Sequence, residues 1–322
     1  FRRLARAPFG ELLGAAVKDP ALLNFLDAPQ NRKGHPNENL ARELMELFTL
    51  GIGHYSEKDV KEAARALTGW TVADDQFREE PARHDDGEKH ILGRTGPWKG
   101  DDLVKMLLEH PATARRLAFR LGEMFFGEGV LGDAALASLA DDLREHDLDV
   151  GRAVETILRS RAFFAEGNLR ARVTGPAEFV VGSARLLEMF AEPPSTLLMA
   201  DWSARLGQDL FAPPNVGGWA GGRRWVSTQS MIGRANYAAA LVQGRLTRAQ
   251  EPFDALALAR RHGRGDDAGS DAAFCAGLVF GAEPAPGWCD KLARAADSAG
   301  AMPEAARRIA ALTLASPESQ LM

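Results

Sequence analysis

The 322-residue chain has only two cysteines, Cys275 and Cys289, and two tyrosines. So few cysteines exclude a disulfide framework and a four-cysteine metal site, leaving one bridge at most. The turn in GLVFGAEPAPGW between them would allow that bridge, but cysteine is commonly a small buried residue, and free thiols are expected. Long apolar runs are also missing. No stretch approaches the roughly 18 consecutive apolar residues of a spanning helix, and the opening FRRLARAPFGELL lacks the apolar core of a secretion signal. Charge is close to balanced, with 39 basic against 44 acidic residues and a net charge of −5. That excludes the basic footprint of a general nucleic-acid binder and a polybasic membrane anchor. There is no phosphate-cradling glycine loop with lysine, no GxGxxG after a strand, no GxSxG elbow and no CxxC. Nucleotide-driven, serine-hydrolase and thiol chemistry therefore have no motif to rest on.

What is present is helical period. The length suits one large domain or two ordinary ones, and 45% apolar residues suffice for a core. Apolar residues recur at three and four over 2–16, 38–50, 57–68, 101–109, 111–126, 133–145, 149–160, 176–190, 228–245, 286–299 and 302–315. Period-two alternation is nearly absent, and the prolines and glycines fall mostly between these segments. The expected fold is mainly α, a multi-helix globular bundle interrupted by two long ordered loops. Asn37 is placed to cap the helix 38–50, Gly51 and Gly69 to end the first and second helices of a hairpin, and Ser56 with Asp59 to form a near capping box. The polar stretch HGRGDDAGSD at 262–271 reads as a flexible connector.

On the helix 38–50, Leu40, Leu44, Leu47 and Phe48 share one apolar arc, with Glu43 between Leu47 and Leu50. A carboxylate so flanked should be substantially buried, and must find a cation or have its pKa raised. Asn39, Glu43 and Glu46 form a stripe of oxygen ligands, suited to a hard cation or to a general acid/base pair. The alternative is structural: Arg42 pairs with Glu38 and Glu46, and Arg65 of the next helix neutralises Glu43. Arg65 is the partner expected for Glu43. His54 and Tyr55 in the turn face either the same cleft or the helix ends.

Both long loops exceed the usual length of structureless connections. The first, residues 69–100, holds the densest cluster of ligand-type side chains, among them His84, Asp85, Asp86 and His90, without EF-hand or HExxH spacing. If it folds back over the hairpin, His84 and Asp85 join Glu43 and Glu46; otherwise His84 bonds backbone carbonyls and caps the loop. The second, residues 211–227, sets Trp219 and Trp225 among glycines beside Arg223 and Arg224. Aromatic faces and cations there suit sugar rings and anions, or else the tryptophans plug the loop onto the helical body. Asn215 and Gln208 are its supporting polar groups.

The run HPNENLARELMELFTLGIGHYSEKDVKEAARALTGW at 35–70 closely resembles the signature of the bacterial domain-of-unknown-function 1800 family. The resemblance continues through HDDGEKHILG at 84–93, TGPAEFVVGSARLL at 174–187 and LFAPPNVGGWAGGRRW at 210–225. His84, Asp85, Gly87, Lys89, Leu92 and Gly93 are matching positions. It implies a family-like helical domain over 1–261, with an N-terminal portion of the family preceding it, and an Ala-rich helical segment over 262–322 packed on it. It also implies an exported bacterial protein of the periplasm or cell envelope, encoded beside a sulfatase-like protein.

Two functions follow as expectations. One is an envelope enzyme, acting on polysaccharide or on a sulfated or phosphorylated substrate. Its catalytic residues are Glu43, Glu46 and His84, with one divalent metal held by Asn39, Glu43, His84 and Asp85. Tyr55, Trp70, Lys89, Asn215, Trp219, Arg223 and Trp225 form its candidate substrate surface. The other is a noncatalytic partner whose long loops dock the sulfatase-like protein or a polysaccharide.

Overall fold

Pro8 stops the opening segment from being one helix. In the computed structural model a single 3-10 turn at Arg2–Leu4 precedes it, and α1 (Phe9–Val17) begins only after it. Asp19 accepts the Ala21 amide (2.9 Å) and Pro20 fills the first helical position of α2 (Pro20–Phe25), a short helix whose apolar residues are too few to show a period. The structure describes residues 1–264, 267–281, 283–297 and 301–322. Among these, fifteen α-helices stand against two two-stranded sheets, so the fold is mainly α.

The chain divides into two compact units, Phe1–Ala165 and Glu166–Met322. In the first, α3 (Asn39–Glu43) runs into a π turn over Leu44–Thr49, and α4 (Glu57–Ala66) returns beside it. The Asn37 side chain accepts the Asn39 amide (3.0 Å), and Ser56 and Asp59 complete a reciprocal capping box. Gly51 and Gly69 follow the two helices with φ of 83° and 88°, a left-handed conformation that glycine adopts without steric cost. Leu40, Leu44, Val60, Ala63 and Leu67 of this hairpin are buried together with Trp70, Ile91, Leu103 and Leu107.

The loop 69–100 is ordered and carries more strand than expected. It holds two antiparallel hairpins, β1 (Trp70–Ala73) with β2 (Gln76–Glu79), and β3 (Lys89–Ile91) with β4 (Arg94–Gly96). Helices α5 (Gly100–Glu109), α6 (Pro111–Phe125), α7 (Asp133–Glu145) and α8 (Val150–Arg159) complete the unit, the last three around Leu121, Phe126, Leu143 and Ile157.

The second unit contains α9 (Pro176–Leu186), α10 (Thr196–Arg205), α11 (Thr228–Val242), α12 (Ala255–Arg261), α13 (Ala268–Phe280), α14 (Trp288–Asp297) and α15 (Met302–Ala315). Its core gathers Phe179, Tyr237, Leu241, Ile309 and Leu314. Residue 261, the suggested boundary, ends α12 inside this unit. The expected connector 262–271 also opens a helix. Asp267 accepts the Ser270 amide (2.8 Å), so 268–271 form the first turn of α13, with Asp271 buried; residues 265 and 266 lie outside the described residues. Arg234 of α11 is fully buried and donates to Gln320 Oε1 and to the Thr174 carbonyl, each at 2.7 Å. Cys275 and Cys289 are free, and burial pushes the Cys275 thiol up to about 12.

Candidate functional site on the helical hairpin

The family-like signature folds around its π turn. The Leu50 and Gly51 amides both reach the Met45 carbonyl (2.8 and 3.1 Å), and the Thr49 hydroxyl returns to the Leu44 carbonyl (2.6 Å). A widened turn leaves carbonyls seeking donors, and Arg116 of α6 supplies one, its Nε donating to the Leu47 carbonyl (3.0 Å). A Cβ on Gly51 would lie 3.2 Å from Arg116 Nη1, so the glycine also makes room for that guanidinium. Arg116 lies 69 positions beyond its acceptor, and no local pattern in the sequence marks it as part of the hairpin.

The π turn changes which residues are covered. Leu40 and Leu44 are buried, whereas Leu47, Phe48, Glu43 and Glu46 are half-buried. Glu43 is therefore more accessible than an unbroken wheel predicts, and its partner is not Arg65. Arg42 pairs with Glu38 (3.0 Å) as expected, but its other contact is a two-pronged bond to Glu57 across the hairpin (2.8 and 2.9 Å) instead of Glu46. Glu46 accepts the Tyr55 hydroxyl (2.7 Å). Glu43 has no hydrogen-bond or ion-pair partner among the described residues. Burial, and then the charge of Glu46, raise its carboxyl above the ordinary range against the weaker pull of Arg42. Burial, and then the bond to Glu46, push Tyr55 up to about 12.

The residues 84–93 are held against α4 by a separate network. His84 is buried, its Nδ1 donating to the Thr68 carbonyl (2.9 Å), while the Thr68 hydroxyl accepts the Asp85 amide (2.8 Å). This tautomer leaves His84 Nε2 as an acceptor, buried without a partner among the described residues. Arg65 closes on Asp85 through Nε (2.8 Å) and Nη2 (3.3 Å), and pairs with Glu62 (2.8 Å). The Arg65 guanidinium holds the Asp85 carboxyl down at about 2. Lys89, also buried, donates to the Asp85 and Gly87 carbonyls, and Asp59 accepts the Leu92 amide (2.8 Å). His84, Asp85, Lys89 and Leu92 thus each make a bond that locks the loop.

The proposed cation shell is not gathered by these contacts. Asn39 turns its side-chain amide to Asp27 (2.9 Å), and Asp85 serves Arg65 and the Gly87 amide. Among the described residues no three His, Cys, Asp or Glu side chains cluster as metal ligands. Trp70 and Lys89 are buried, so neither presents a face to a ligand. The Trp70 indole packs edge-on to Phe77 and so tightly on Gly100 that a Cβ there would come within 2.2 Å of the ring.

The second long loop sits in the other unit. Trp225 is half-buried beside Gly175 and Gly207, pinning the loop in the manner of a plug, and Trp219 is also half-buried. Asn215 is exposed, its side chain accepting the Gly217 amide (2.9 Å), and Gln208 accepts the Ala177 amide (2.9 Å). Arg223 and Arg224 are exposed on a 3-10 turn, and Phe211 is fully exposed. No helix among the described residues is long and apolar enough to cross a membrane.

No curated protein and no solved structure matches the chain. A family model, described as a protein of unknown function (DUF1800), matches residues 1–321, so its span includes both units, the hairpin signature and the two long loops. The chain belongs to that family.

Proposed function

We propose that the hairpin is an acid–base site of a cell-envelope protein, with Glu43 as the proton-transferring group. The observation that carries this reading is a half-buried carboxyl without a partner among the described residues, raised by burial and by Glu46, where α3 enters the π turn of the family signature. Tyr55 fixes Glu46 through its hydroxyl, so the second carboxylate is positioned and its charge keeps Glu43 protonated to higher pH. Glu43 can then hand its proton to a leaving oxygen or take one from water. The family's resemblance to exported proteins supports the envelope, and a sulfatase-like neighbour supports a polysaccharide or a sulfated or phosphorylated substrate. The reading needs no divalent metal: the Asn39 side-chain amide is bonded to Asp27 and the Asp85 carboxylate to Arg65.

The test compares the purified protein with Glu43→Gln on cell-wall polysaccharide and on nitrophenyl glycoside, sulfate and phosphate. Turnover that falls by at least about 100-fold in the variant supports the reading. A second reading draws on the fully exposed Phe211, with Leu210, Val216 and Val226 also exposed near it in sequence: noncatalytic docking of the sulfatase-like protein. Absence of turnover on every substrate, together with binding of that protein lost in Phe211→Ser, would put docking in place of catalysis.

A further inference from the structure

A cavity of about 540 Å³ opens in the first unit between α1, the π turn and α6. Phe9, Leu13, Phe48 and Leu117 give it apolar walls. Its charged groups are Asp19, Arg116 and Arg120. The Asp19 carboxylate is occupied as the cap of α2. Arg116 is half-buried and has no carboxylate within ion-pair distance among the described residues; its one hydrogen bond is to the Leu47 carbonyl. Arg120, one turn further along α6, reaches only Glu123 among the described residues, at 3.5 Å. Two cations four residues apart on one helix repel each other, and here they border a pocket of small-molecule size. Burial and the neighbouring Arg120 both hold the Arg116 guanidinium below its ordinary range, although Glu46, Glu123 and Tyr55 oppose them.

We propose that this cavity binds a single-chain anionic amphiphile, its alkyl chain between Phe9, Leu13, Phe48 and Leu117 and its head on Arg116 and Arg120. The apolar walls favour alkyl over sugar, and the two guanidiniums, of which only Arg120 has an ion-pair partner among the described residues, favour a carboxylate or phosphate head over a neutral or cationic one. The inference does not depend on the acid–base reading, since it is read out by binding without turnover.

Calorimetric titration with decanoate, decyl phosphate, decanol and decyltrimethylammonium, each below its aggregation concentration, tests it. Decanoate or decyl phosphate should bind at one site at least about tenfold more tightly than decanol, and their ranking distinguishes a fatty-acid head from a phosphate head. Each methylene removed should weaken binding about fourfold. Arg120→Gln should erase most of the preference for the anion while leaving decanol binding unchanged. Ala16→Phe, which adds a ring at the cavity wall, should abolish binding of both. Because Arg116→Gln also removes a bond to the π turn, the exposed Arg120 carries the charge test, and circular dichroism melts show that the variants remain folded. No binding of either anion, anions binding no better than decanol, or binding undisturbed by Ala16→Phe would each overturn the proposal.

Discussion

Arg65 closes on Asp85 and leaves Glu43, one helix away, without an ion-pair partner among the described residues. The pair crosses 20 residues to tie the loop after β2 to α4, its side chains only 26% and 18% exposed. Asp85 is held at about 2, against about 3.9 for an unfolded aspartate. A lowered carboxyl stabilises the fold above its unfolded pKa, and that stability is lost as pH falls from about 4 toward 2. The difference bounds the effect at about 2–3 kcal/mol. Asp85→Asn should therefore lower stability at neutral pH and flatten its dependence on pH below about 4. Urea unfolding of both proteins at several acidic pH values measures this, and parallel curves would show that the pair contributes nothing.

Glu43 has the opposite sign. A carboxyl raised in the folded state favours the fold below its unfolded pKa and opposes it as pH rises through the folded one. Glu43→Gln should then leave stability unchanged or raise it, by no more than about 1 kcal/mol near neutral pH. Loss of turnover combined with a higher melting temperature is the pattern expected of a functional carboxylate. A clear drop in melting temperature would mean that Glu43 has a structural partner.

The difference between these two residues shows what the sequence can display. Caps are local, so Asn37, Ser56, Asp59, Gly51 and Gly69 could be placed from spacing alone, and the hairpin with them. The choice of Arg65 between Glu43 and Asp85 depends on where 20 later residues bring a loop, and periodicity carries no such information. The π turn was equally hidden, because six residues of Leu, Met, Glu, Phe and Thr fit either helical ladder. It shifts Leu47 and Phe48 toward the cavity and recruits Arg116. In the second unit the first turn of α13, AGS after Asp267, is small and polar and shows no apolar period, while its cap is local, Asp three residues before Ser.

Gly69 and Gly53 share a left-handed backbone but differ in surroundings. A Cβ on Gly69 would lie 2.7 Å from the Glu80 carbonyl oxygen, whereas one on Gly53 meets nothing within 4 Å. Gly53→Ala should cost about 1–2 kcal/mol for the backbone alone. Gly69→Ala should cost about 1–2 kcal/mol more, because backbone must move at the start of β1. Chemical denaturation of the two variants gives the comparison, and equal losses would mean that the Glu80 strand end yields freely.

Arg234 is the largest polar commitment of the second unit. Burial lowers its guanidinium to about 10, and its bonds satisfy the Thr174 carbonyl and the Gln320 side chain beside the bridge of Val173 to Leu321. Arg234→Met keeps much of the volume but leaves both acceptors unpaired. It should cost about 2–4 kcal/mol. Thermal unfolding reads the loss, and hydrogen exchange at the Thr174 and Met322 amides should rise with it.

The two tyrosines provide an optical test of the candidate site. Burial and the bond to Glu46 push Tyr55 up to about 12, and burial alone pushes Tyr237 higher still, where its hydroxyl donates to the Val180 carbonyl (2.6 Å). A free phenol ionises near pH 10. Phenols raised in this way stabilise the fold below pH 10, and that contribution is lost as pH climbs through the folded values. The native protein should therefore show almost no tyrosinate absorption at about pH 11, where the urea-unfolded chain is largely ionised. Glu46→Gln removes the negative charge that opposes tyrosinate, and should move one of the two titrations downward toward 10 while leaving the other in place. If both phenols ionise near 10 in the wild-type protein, Tyr55 is not held by Glu46, and Glu43 loses the neighbour that gives it its role.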